Sequence, residues 1–238
     1  MKPWRIIPMA LAACGLSGTA AAKAQIATGA GGNYRVAIMS WAEIPFRSVV
    51  AQQFDFSCGS AAVATLLTYH YGRPTPERPV FAAMWAAGDQ AAIRRSGFSM
   101  LDIKQYLDGI GLRTEGYRLS IEQLARLDRP GIIILDFNGY RHFVVVKGIA
   151  RGQVLIGDPM RGLSRYPLAE VAARWNGVLL TVVAVPGREA RFNVPGEWLP
   201  WASAPLDRVA IGAPAADLTR ALPSLYQITP SILTAARP

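Results

Sequence analysis

The sequence predicts an α+β domain in which early helices pack on a mainly antiparallel sheet, and three observations carry that prediction. Helix-start signals fall in the first half of the chain: Ser57 ahead of an Ala- and Leu-rich run, Ser99 with Asp102 three residues on, and Ser120 with Gln123 three residues on. Strand-like runs crowd the second half, at 131–137, 142–149, 154–157 and 178–185, separated by short turn signals. The 238 residues are 51% hydrophobic, enough for one well-buried domain with an appendage.

Taken in order, residues 25–47 read as a linker and an edge segment, Gly- and Ala-rich at first and then extended from Tyr34 to Trp41. The central helix is expected from Ser57, as N-cap, to about His70, where Gly72 and Pro74 stop it; Ala61, Ala62 and Ala64 allow close packing. Residues 76–90 read as a second, looser helical stretch. Leu101, Ile103, Leu107 and Ile110 recur at helical spacing after Ser99, and Gly109 and Gly111 end that helix. Ser120 opens a short helix with Leu124 and Leu127 on one side, between a strand at 112–118 and the later strands. Beyond Pro186 the chain turns rich in proline and alanine, and 187–238 is expected to be an extension that packs on the domain or engages a partner. No internal repeat or heptad pattern is present.

Residues 1–24 resemble an export signal, with Lys2 and Arg5, an apolar run from Ile6 to Leu16 and Ala22-Lys23-Ala24 before Gln25. Leu11-Ala12-Ala13-Cys14 also fits a lipobox, with cleavage before an acylated Cys14. Either signal places the protein outside the cytoplasm, periplasmic or secreted in the first case and membrane-anchored in the second. The formal charge is +9, but residues 1–24 hold three of the 25 basic side chains and no acid. The remaining cations are scattered, with only Arg94 and Arg95 adjacent, so no basic stripe for nucleic acid is formed. With Cys14 cleaved away or acylated, Cys58 is the lone free thiol and no intramolecular disulfide can form.

Cys58 follows the polar turn Gln52-Gln53-Phe54-Asp55-Phe56-Ser57 and opens the buried helix, where unpaired backbone N–H groups and the helix dipole favour thiolate over thiol. A nucleophilic thiol needs a base, and the chain has two histidines. His70 is twelve residues along the same helix, about 18 Å away at about 1.5 Å per residue, and reads as a helix-end histidine favoured by the C-terminal dipole. By elimination the base is His142, at the start of a strand. A hairpin centred near Ala150 would set Asp158 opposite His142, about 5 Å apart at Cβ, to orient its ring. A turn centred on Arg151-Gly152 would offset that pair unless a bulge absorbs it, and Asp136 is the alternative orienting acid. Gln52 or Gln53 could supply an oxyanion donor beside the Cys58 N–H. No metal or cofactor is called for by this chemistry.

Gln52, Cys58-Gly59 and the small-residue helix, Gly97-Phe98-Ser99, Gly111-Leu112, His142-Phe143-Val144-Val145 and Asp158-Pro159 together resemble the peptidase C39 family over about 48–186. The resemblance implies a papain-like cysteine peptidase fold with the nucleophile on the central helix. It further implies Cys58 as nucleophile, His142 as base, Asp158 as its orienting residue and Gln52, not Gln53, as oxyanion donor. Ser57 stands where many members carry aspartate. The better-known members cut peptide precursors after a double glycine, whereas this chain is more similar to stand-alone exported members, including those associated with functional-amyloid secretion.

Three functions are open at this stage. The first is an exported cysteine peptidase acting on a polypeptide near a glycine-rich site. The second is an amidase or transpeptidase that turns the same triad on cell-wall amides. The third is a non-catalytic accessory module of a secretion system, with 187–238 as its partner-binding part.

Overall fold

The computed structural model describes residues 23–27, 33–37, 39–40, 42–184 and 189–199. Most of the expected export signal, with Cys14, and the 187–238 extension apart from 189–199 lie outside the described residues. The chain divides into two units, Met1–Ser40 and Trp41–Pro238. In the first, β1 (Lys23–Ala27) and β2 (Asn33–Ala37) form an antiparallel pair of their own, with Ile26 opposite Tyr34.

The second unit begins with four helices: α1 (Cys58–Thr65), α2 (Glu77–Ala87), α3 (Gln90–Ser96) and α4 (Met100–Gly109). Then come β3 (Arg113–Arg118), α5 (Ile121–Ala125), β4 (Gly131–Phe137), β5 (Tyr140–Ala150) and β6 (Gln153–Asp158). β7 (Gly162–Pro167), α6 (Leu168–Arg174) and β8 (Trp175–Ala184) complete it. Six strands make one sheet in the order β3-β8-β4-β5-β6-β7, every neighbouring pair antiparallel. This is the α+β arrangement expected from helices early and strands late.

The sheet carries a core on each face. Val63, Leu66, Leu67, Val80, Met84, Ile103 and Leu107 from the helices meet Ile132, Val145, Leu180 and Val182 on one face. Leu124 and Val171, from α5 and α6, meet Ile133, Val144, Val146 and Ile156 on the other. Because β4 and β5 are covered on both sides, they read as continuous apolar runs instead of alternating. Every residue of α1 is buried, and its alanines keep it thin enough to lie between the sheet and α2 and α4. Its last turn widens into a π-helical segment, Leu66–His70, so the central helix does reach His70 but not as a regular α-helix.

Other departures from expectation have local causes. Ser57 occupies the N-cap position of α1 but makes no capping bond; its hydroxyl accepts the Phe54 N–H (3.2 Å) and donates to the Phe54 carbonyl (2.9 Å). The looser stretch at 76–90 is two helices, because Gly88 ends α2 and Asp89 caps α3 by accepting from Ala91 and Ala92 N–H. β7 and α6 had no counterpart in the sequence reading: α6 has only seven residues, opened by Pro167, too short for a periodic signal. The capping boxes at Ser99–Asp102 and Ser120–Gln123 are both present.

One register decides the site. The β5–β6 turn is Arg151-Gly152, with φ of 51° and 71°, the left-handed pair of a type I′ hairpin. Ala150 faces Gln153 and Gly148 faces Leu155, but the next pair is Val146 with Ile156, because Lys147 is an extra residue in β5. Carried one step past Val145–Gly157, the register sets Asp158 beside Val144, two residues from His142, and not opposite His142 as a turn at Ala150 would. The bulge is nonetheless what puts Asp158 and His142 on one face. Without it Asp158 would fall beside Val145 and point the other way.

Candidate active site

Cys58 is the first residue of α1 and is buried. The first intrahelical bond runs from the Ala61 N–H to the Ser57 carbonyl (3.0 Å), so the Cys58 N–H belongs to the turn whose donors the helix itself does not use. A carboxylate holds this turn from below. Glu77, fully buried at the start of α2, accepts the Gln53 N–H (2.8 Å) and the Ser60 hydroxyl (3.4 Å). Burial raises its pKa, while hydrogen bonds from Ser57, Gln53 and Ser60 pull the other way.

His142 and Asp158 meet at the end of the sheet, each 2% exposed. His142 Nε2 lies 2.7 Å from Asp158 Oδ1. A carboxylate accepts, so Nε2 carries the proton and Nδ1 is left as the proton-accepting nitrogen. That nitrogen is buried without a hydrogen-bond partner, and the Cys58 thiol is close enough to act on the ring's charge. Burial pulls the His142 pKa down, but the hydrogen bond to Asp158 and the interactions with Cys58 outweigh it, and the pKa is raised to about 9. Asp158 is also a turn starter: Oδ1 accepts the Met160 N–H (2.7 Å) and the Arg161 N–H (3.2 Å). These bonds fix the carboxylate before it meets the ring.

The alternatives separate by geometry. Asp136 is exposed and accepts the Gly139 N–H (2.6 Å), closing the β4–β5 turn, so its carboxylate is engaged away from His142. Gln53 is exposed and contributes its backbone N–H to Glu77. Gln52 is half-buried; its N–H donates to the Pro159 carbonyl (3.0 Å), tying the Cys58 loop to the Asp158 turn. The Gln52 side-chain amide donates to the Phe54 carbonyl (3.2 Å), and its Oε1 is buried without a partner. The amide is thus held at the loop that leads to Cys58.

His70 is not the dipole-stabilised cation expected at a helix end. It is buried, and its pKa is lowered to about 3 by burial first and then by the Lys147 charge, against the opposing bond to Arg191. Its Nδ1–H donates to the Arg191 carbonyl (2.5 Å) and its Nε2 faces the Lys147 ammonium (3.2 Å). Lys147 further donates to the Ser48 carbonyl (3.0 Å) and pairs with Glu197 (3.0 Å). Asn193, at φ 53°, bonds the backbone of Ile149 through both its amide atoms, so 189–199 is fastened to β5 beside the bulge.

Two site residues escaped the sequence reading. Glu77 carries no local signal beyond its place in the first turn of α2, and only its burial with bonds from Gln53 and Ser60 marks it. Tyr140 stacks on His142, with ring centroids 5.8 Å apart, and burial followed by Cys58, Asp158 and Asp55 raises its pKa. Its position two residues before His142, on the same face of a strand, was the available signal.

A family model described as the peptidase C39 family matches residues 47–186. The chain is 42% identical over 146 residues to "Probable functional amyloid protease FapD" of Pseudomonas aeruginosa, covering 61% of this chain and 65% of that protein. It is 39% identical over 138 residues to the protein of the same name from Pseudomonas fluorescens, covering 58% and 61%. The chain thus spans just under two thirds of these relatives' length. Among solved structures, the peptidase domain of Streptococcus ComA, a bi-functional ABC transporter, aligns with a TM-score of 0.49 at 20% identity, over 56% of this chain and 96% of that one.

Proposed function

The chain belongs to the peptidase C39 family, and we propose that it is a cysteine peptidase in which Cys58, His142 and Asp158 hydrolyse a peptide bond of an exported polypeptide. The observation that carries this reading is the buried His142 ring, held by Asp158 on one nitrogen and open to Cys58 on the other, with its pKa raised to about 9. At neutral pH the ring is therefore protonated, and the proton it holds is the one a leaving amine requires.

The Cys58 sulfur attacks the scissile carbonyl carbon as the thiolate, with its proton on His142 Nδ1. Negative charge that develops on the carbonyl oxygen is met by the Cys58 N–H and the Gln52 side-chain amide. His142 gives its proton to the departing amine, leaving a thioester on Cys58. Water then attacks that thioester as His142 takes up a proton, and the acid product leaves with the thiol restored. Asp158 keeps the ring in the tautomer and orientation that each transfer needs. Its two backbone N–H bonds to the β6–β7 turn keep it from rotating away.

We assign the site of action outside the cytoplasm, from the signal-like residues 1–24. A substrate secreted as a functional amyloid precursor, or a polypeptide of its export route, is consistent with the relatives' name. The test compares purified protein with Cys58→Ala, each incubated with proteins exported by the same cell and read by terminal-peptide mass spectrometry. New termini formed only with the intact thiol are the expected result. Their absence, with Cys58 reactive and the protein folded, would move the acceptor to a cell-wall amide or the role to a non-catalytic one.

A further inference from the structure

A cleft of about 320 Å³ opens beside Cys58, and its lining is cationic. Its lining includes the C-terminal turn of α3 with Arg94 and Arg95, Gly139 of the β4–β5 turn, Tyr140 and Arg141 at the start of β5, and Cys58. The one acid in the lining is Asp55. Among the described residues, neither Asp55 nor any of the three arginines forms an ion pair. All three arginines are exposed, and the Arg94 guanidinium also lies 5.1 Å from the centroid of the Trp85 ring. The cleft thus presents three guanidiniums against one carboxylate beside a nucleophile.

We propose that this cleft selects substrates by a side-chain carboxylate near the scissile bond, with Arg95 and Arg141 as its recognition residues and Arg94 as part of the lining. Guanidinium is the group suited to this, because its planar fork takes a carboxylate on two N–H donors and stays charged at any working pH. A cleft of that volume, with Cys58 in its lining, holds about two residues of extended chain at about 3.4 Å of advance each. The aspartate or glutamate therefore stands within about two residues of the bond cut. A cavity with low-dielectric walls also concentrates the field of its charges, so the preference weakens with added salt. The proposal deepens the peptidase reading and rests on Cys58 being the nucleophile.

The first test needs no turnover. The full chain is alkylated with iodoacetate and with iodoacetamide, and modification of Cys58 is followed by peptide mass spectrometry at low and at physiological salt. The ratio of the two rates is compared between wild type and Arg95→Gln/Arg141→Gln. A ratio about tenfold higher in wild type, reduced by salt and largely retained in Arg95→Lys/Arg141→Lys, is expected. Equal ratios in wild type and the Gln variant overturn the proposal. Both positions are exposed, and matching thermal melts show that the variants are folded.

The second test uses peptides acetylated and amidated at their ends, paired as Glu or Gln at each of the two positions on either side of the bond. Wild type is expected to cut a Glu peptide about tenfold faster than its Gln partner, and the variant to lose that discrimination. Equal cleavage of every pair, or a preference seen only when the C-terminus is left as the free acid, overturns the side-chain assignment. An alkylation ratio that behaves as expected while no peptide is cut keeps the cationic cleft and sinks the peptidase reading.

Discussion

The chain's two histidines, His70 and His142, are both 2% exposed, yet one is held as a cation and the other as a neutral ring. His142 faces a carboxylate and a thiol, and its pKa is raised to about 9 in spite of burial. His70 faces a carbonyl and an ammonium, and burial with the Lys147 charge lowers it to about 3. Burial alone favours the neutral ring in both. The sign of the neighbouring group decides the outcome: one ring becomes a proton donor and acceptor at the nucleophile, the other a neutral clasp between α1's π-helical end and residues 191–197. Both depend on β5, which carries His142 near its start and Lys147 at its bulge.

Removing the carboxylate from the first of these sites tests the comparison most severely. Asp158→Asn keeps an oxygen for the Met160 and Arg161 N–H groups but no longer holds a positive ring. We expect kcat to fall by about 10⁴-fold, as when a triad carboxylate is neutralised, and the alkaline limit of activity to drop from near 9. A pH profile of single-turnover cleavage reads both. An unmoved alkaline limit would mean that Asp158 does not set the His142 charge. At the second site Lys147→Ala leaves Glu197 and the Ser48 carbonyl without their cation, and should cost about 3–5 kcal/mol in a urea titration. It should leave the rate of Cys58 alkylation in the folded protein near wild type, because Lys147 serves the clasp and not the thiol.

How far each site was legible follows from the range of its contacts. Cys58 and His142 could be paired as candidates because the chain has only two histidines and the length of one helix sets the other apart. Asp158 was found by counting along a hairpin, although the true turn is Arg151-Gly152 and the Lys147 bulge restores the face and not the opposition. The carboxylate reaches His142 diagonally, a geometry that no midpoint count contains. The His70 clasp was illegible, since its partners Lys147 and Arg191 lie 77 and 121 residues away and nothing in their local sequence marks them. Ser57 deceived for the opposite reason: it is a good capping residue that a nearby carbonyl and N–H of Phe54 claim instead. For the fold, the apolar runs of β4, β5, β6 and β8 were readable, while β7, a mixed polar strand although joined to β6 by a short turn, and the short α6 depend on packing against β6 and β4.

A smaller effect sharpens the comparison through the pH dependence of stability. The folded pKa of His70 lies below its ordinary 6.5, so the unfolded chain binds the extra proton; the stability from this site is full above about 6.5 and is lost as pH falls toward 3. The folded pKa of His142 lies above 6.5, so its contribution is full below 6.5 and is lost as pH rises through 9. The two limbs should separate by mutation: His70→Asn flattens the acid limb and His142→Asn the alkaline one. Urea midpoints at pH 4, 6.5 and 9 measure this, and parallel curves for the two variants would defeat the assignment.

The smallest expected change concerns Glu77, which belongs to neither histidine but holds the loop between Gln52 and α1. Glu77→Gln retains one oxygen for the Gln53 N–H or the Ser60 hydroxyl and turns the other acceptor into a donor facing a donor. We expect a loss of about 1–2 kcal/mol in stability and about tenfold in kcat, since a slight displacement of the Cys58 turn misplaces the oxyanion donors. Glu77 acts through the backbone and not on a proton, so the pH limits of activity should stay those of wild type. A shift of the alkaline limit in this variant would show that the buried carboxylate reaches His142 electrostatically, and that the charge of that ring is set by more than Asp158 and Cys58.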